Sequence, residues 1–99
     1  MVVSVIHDML RRNISGGKLA QAEEATGRLC LEGQRAVAVL LVSAEQAGKF
    51  AEAVRMLNEY WERRWQRQHP VHCGDPDFAD NAVCYGMIYE RLRLPLPGF

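Results

Sequence analysis

Ala36-Val37-Ala38-Val39-Leu40-Leu41-Val42 is an uninterrupted apolar run, and its reading decides the fold class. A run this short suits a buried strand or a buried helix, and periodicity within it cannot separate the two. Its flanks can. Leu19, Ala22, Thr26, Leu29, Cys30, Gly33, Val37, Leu40 and Leu41 recur at the three-and-four spacing of one helix face, so the run continues a helical stripe in phase. The sequence therefore predicts an all-α fold, a small bundle of about four helices joined by short connections. The alternative is an α+β fold with a short strand at 36–42, against which residues 1–6 would pair.

Working toward the N-terminus, Gly27 and Gly33 are poor helix formers, each costing about 1 kcal/mol against alanine in an exposed helix interior. Either they admit a close neighbour or Gly33 ends the helix. Val2, Val5, Ile6, Met9 and Leu10 make one stripe of a shorter first helix, and Ser15-Gly16-Gly17 stops it.

Working toward the C-terminus, Ser43-Ala44-Glu45-Gln46 has the form of a capping box, which predicts a fresh helix start near 44. From there Ala47, Phe50, Ala51, Val54, Leu57, Trp61 and Trp65 form the apolar face of a long helix over about 44–68, the expected centre of stability. Pro70 closes it. Asp75-Pro76 then reads as an N-cap followed by proline at the first helical position. Phe78, Ala82, Tyr85, Ile88, Tyr89 and Leu92 make the inward face of a last helix. Leu94-Pro95-Leu96-Pro97-Gly98-Phe99 cannot continue it, because proline removes a donor and fixes its own φ. The predicted organisation is one helical domain over 1–93 and an extended apolar tail over 94–99.

At 99 residues there is chain for one core, and a small one. Formal net charge is zero. A nucleic-acid binder usually carries a basic surplus, so the balance argues against that class. No apolar run approaches the roughly 20 residues that span a bilayer. The first residues show no basic segment or cleavage site of a secretory leader, and Cys30, Cys73 and Cys84 have no framework spacing. The expectation is a cytoplasmic protein with reduced thiols.

Two clusters have chemical potential. His69, His72, Cys73 and Cys84 are of the right types for zinc, but H-x-x-H-C followed by a distant cysteine matches no zinc spacing. Arg63, Arg64 and Arg67 interleave with Trp61 and Trp65, a pattern able to follow a phosphate backbone, yet arginines at a helix end also complement its dipole. Ser15-Gly16-Gly17-Lys18 lacks the first glycine and the hydroxyl residue of a phosphate loop. No nucleophile stands beside a base in any known pattern. The sequence accordingly predicts no enzyme, no metal and no cofactor.

What remains is aromatic weight in the C-terminal half. Tyr60, Trp61, Arg64, Trp65, Tyr85, Tyr89 and Phe99 are of the residue types that carry protein interfaces. They predict a small non-enzymatic protein-binding module that masks or bridges a partner: an antitoxin or immunity protein, a phage inhibitor such as an anti-CRISPR, or a regulatory adaptor. A homodimer is expected, since zero net charge leaves little repulsion between copies. The alternative is a nucleic-acid- or metal-binding regulator using Arg63, Arg64 and Arg67 or the histidine–cysteine cluster.

Overall fold

The computed structural model describes residues 4–27, 29, 31–65 and 77–95, with the side chains of 61–65 and 77–84 outside the description. Five helices lie in this portion: α1 (Ser4–Asn13), α2 (Gly17–Gly27), α3 (Leu31–Gln46), α4 (Phe50–Trp65) and α5 (Asp77–Leu92). No strand occurs among the described residues. The all-α reading holds, and residues 36–42 lie in the middle of α3.

The fifth helix arises because the stripe from Lys18 to Leu41 is two helices. The break falls after Gly27 rather than at Gly33, which is buried inside α3. A side chain on each side of the break bonds to the nearby backbone. Thr26 Oγ1 donates to the Ala22 or Glu23 carbonyl, each at 3.1 Å. Gln34, buried in α3, donates from Nε2 to the Leu29 carbonyl at 3.0 Å. A buried amide needs such a partner, since leaving it unpaired costs about 1–3 kcal/mol.

α3 is the centre of the bundle, and it packs against each of the other four helices. Val37, Ala38, Leu40, Leu41 and Ala44 are fully buried. That wide buried sector explains the run 36–42: a helix with neighbours on several sides needs apolar residues on most of its faces. α3, rather than the long helix expected over 44–68, is thus the helix that meets all the others.

The capping-box start near 44 does not form. Ala44 and Glu45 belong to the last turn of α3, and Ser43 lies within the helix, its carbonyl accepting from Ala47 N–H at 3.1 Å. The true punctuation is Gly48, at φ 73°. Lys49 N–H reaches back to the Ala44 carbonyl at 2.7 Å and Gly48 N–H to Glu45 at 3.1 Å, the paired bonds of a Schellman closure. α4 begins immediately afterwards, at Phe50.

The same closure ends α5. Arg93 takes the left-handed position, at φ 54°, with Leu94 N–H on the Tyr89 carbonyl at 2.9 Å and Arg93 N–H on Glu90 at 3.2 Å. Leu94 and Tyr89 are both buried, as the apolar contact that accompanies this motif requires. Leu94, read from sequence as the first residue of a tail, therefore belongs to the core. Lys49 ties the two closures together: its Nζ donates to the Leu92 carbonyl at 2.6 Å, a cation at a helix C-terminus where the dipole favours it.

Candidate protein-binding surface

The sequence singled out the C-terminal half of α4 and the helix after it. α4 is anchored by Phe50, Ala53 and Leu57, all buried, with Val54, Met56 and Tyr60 packed partly against the core. Ala51, Glu52, Arg55, Asn58 and Glu59 are exposed. The expected apolar face is therefore turned by a small angle: Ala53 takes the inward place assigned to Ala51, and Ala47 is exposed in the connection. Nothing distinguishes one alanine from another in a sequence stripe, so the sequence does not show which of the two faces inward.

The helix runs on without a break to Trp65, which places Trp61, Arg64 and Trp65 on its last turns. Trp61 and Trp65 stand one turn apart, on the same side of the helix. Tyr60 is half-buried at the edge of the core.

Tyr85 and Tyr89 stand differently. Each is only 6% exposed and belongs to the core, beside Ile88 and Leu92. Burial pushes the Tyr89 phenol above its ordinary range, because the phenolate loses its hydration. Packing accounts for both residues. The inward face predicted for α5 is thereby observed at Tyr85, Ile88, Tyr89 and Leu92, while the side chains of Phe78 and Ala82 lie outside the description.

Phe99, Arg67, His69, His72 and Cys73 fall outside the described residues, as does Cys30; Cys84 stands on α5, with its side chain outside the description. Of the arginine cluster, Arg63 and Arg64 stand on the last turns of α4, with their side chains outside the description. Among those residues no helix is long and apolar enough to cross a membrane.

Three large apolar side chains open to solvent were not picked out by sequence: Val5 at 77%, Leu31 at 58% and Met87 at 49%. Val5 was assigned to the buried stripe of α1, but Ile6 and Leu10 fill that place, with Ile14 buried just beyond the helix. Single exposed apolar residues of this kind are ordinary on a folded surface.

The polar links between helices were also invisible in the sequence. His7 Nδ1 lies 2.9 Å from Glu23 Oε1, joining α1 to α2. Lys18 Nζ lies 3.2 Å from Glu45 Oε1 and 6.0 Å from the centre of the Phe50 ring, joining α2 to the α3–α4 corner. Lys18 and Glu45 are 27 residues apart, so no local pattern pairs them. Both pairs are part-exposed, where such contacts contribute less than about 1 kcal/mol; they orient the helices more than they hold them.

No protein-family model matches the chain, and neither a curated protein nor a solved structure matches it.

Proposed function

We propose that the chain is a small non-enzymatic protein-binding module that masks or bridges a partner protein through the C-terminal half of α4. The observation that carries this reading is the continuity of α4. A helix fixed in the core at Leu57 extends unbroken to Trp65, so Trp61, Arg64 and Trp65 ride on a preformed element. Tryptophan and arginine dominate the energetics of protein interfaces, and a helix that is already folded pays little ordering entropy on binding. Three cysteines without framework spacing support a reducing, cytoplasmic setting.

The test compares the chain with a Trp61→Ala/Trp65→Ala variant, both immobilised and exposed to an extract of cells that express it, its own untagged copy included. The expected result is a protein retained by the parent and released by the variant, with both showing the same helical circular dichroism. Identical retention by a folded variant would remove α4 from the binding surface.

A further inference from the structure

α4 carries two lines of residues at the alternating three-and-four spacing of a packing seam. The first, Phe50, Ala53 and Leu57, is spent on the core. The second is Ala51, Val54, Asn58, Trp61 and Trp65, displaced by one position along the helix. Within it Ala51 and Asn58 are exposed and Val54 is half-buried. An amphipathic surface helix needs one such line; a second suits a second neighbour.

Resting on the protein-binding reading of α4, we infer that this second line is the contact between two copies of the chain, packed antiparallel about a twofold axis at Asn58. The residue types select that occupant and direction. With Asn58 at the axis, Ala51 stands opposite Trp65 of the second copy, and Val54 opposite Trp61, so the smallest positions meet the largest. The flanking charges match in the same register. Exposed Arg55 borders the seam on the same flank as position 62, and stands opposite Glu62 of the second copy on both sides of the axis. A parallel pair would set Ala51 against Ala51 and Trp61 against Trp61, and would part Arg55 from Glu62. Asn58 on the axis meets its own copy, and a side-chain amide both donates and accepts, so two asparagines satisfy each other and fix the register. Arg55 already holds Glu59 of its own helix at 3.2 Å, which keeps its guanidinium on the exposed side beside Asn58.

The test is a charge exchange read by sedimentation of the full chain at about 100 micromolar, well above the dissociation constant of a serviceable interface. The parent is expected as a dimer. Arg55→Glu alone and Glu62→Arg alone are each expected as monomers, because each sets two like charges against each other at both ends of the seam. Mixed in equal amounts they are expected to restore the dimer, since both ends then carry opposite charges; circular dichroism confirms that each is folded. Two results overturn the inference: a monomeric parent, or single variants that dimerise like the parent with no gain on mixing. The tryptophan comparison above remains a separate test of the protein-binding reading, since a monomeric parent that still retains a different protein through Trp61 and Trp65 fails the first test and passes the second.

Discussion

The two lines of α4 lie side by side on one helix, are similar in size and spacing, and have opposite fates. Phe50, Ala53 and Leu57 are buried, while their immediate successors Ala51, Val54 and Asn58 are exposed or half-buried. Although Leu57 and Asn58 differ, composition alone does not separate them, since Ala53 and Val54 would each suit a core. The turn before the helix does. Gly48 and Lys49 close α3 and launch α4 in one rotational phase, and that phase decides which line meets α3. Residues one position apart thus meet the core on one line and stay wholly or partly open on the next.

The sharpest way to break the comparison is to shorten one residue of the inner line. Leu57 is fully buried, so Leu57→Ala removes packed methyl groups and leaves a cavity, an expected loss of about 2–5 kcal/mol in chemical unfolding. A domain of this size has only about 5–15 kcal/mol in hand, so partial unfolding at room temperature is also consistent. A pair of enlargements comes next. Ala53 has no exposed surface, and Ala53→Leu should cost about 1–3 kcal/mol by overpacking, whereas Ala51→Leu, read on protein dilute enough that copies do not pair, should stay within about 0.5 kcal/mol. Equal effects in denaturant titration would mean that the lines are not distinct.

The phase itself can be attacked at Gly48. A Cβ there would meet nothing within 4 Å, so Gly48→Ala reports backbone strain alone, with an expected loss of about 1–2 kcal/mol for a left-handed alanine. A melting temperature equal to the parent's would show that the corner tolerates another closure. The smallest effect is expected at Asn58, where Asn58→Ala should change stability by about 0.5 kcal/mol or less.

How much of this was legible in the sequence follows from where each signal resides. The helical state of residues 36–42 could be read because a stripe on either side shares their phase. The inward residues Tyr85, Ile88, Tyr89 and Leu92 could be read because α5 has one broad apolar face. The false start at Ser43 could not be told from a true one: a Ser and a Gln three residues apart fit a capping box wherever they occur, and whether it forms depends on Ala44 being buried against neighbours far along the chain. The division between α2 and α3 was hidden because two glycines were available to make it, and Gln34, whose amide closes it, looks like any polar helix residue. Of the interface residues that the sequence proposes, Tyr85 and Tyr89 belong to the core, since an aromatic ring suits a core as well as an interface. Lys49 on the Leu92 carbonyl had no sequence signal at all, being a contact across 43 positions.

On the function proposed for it, α4 holds the fold with one line and a partner with the other. Sedimentation equilibrium of Asn58→Lys beside the parent, at about 100 micromolar and with thermal melts of the same samples, tests it most directly. The prediction is a parent dimer and a monomeric Asn58→Lys protein, once denatured and refolded to the same helical signal, with a lysine at the centre of the seam repelling its own copy. An Asn58→Lys protein that assembles like the parent, or one that no longer folds, would contradict the division of α4 into an inner and an outer line.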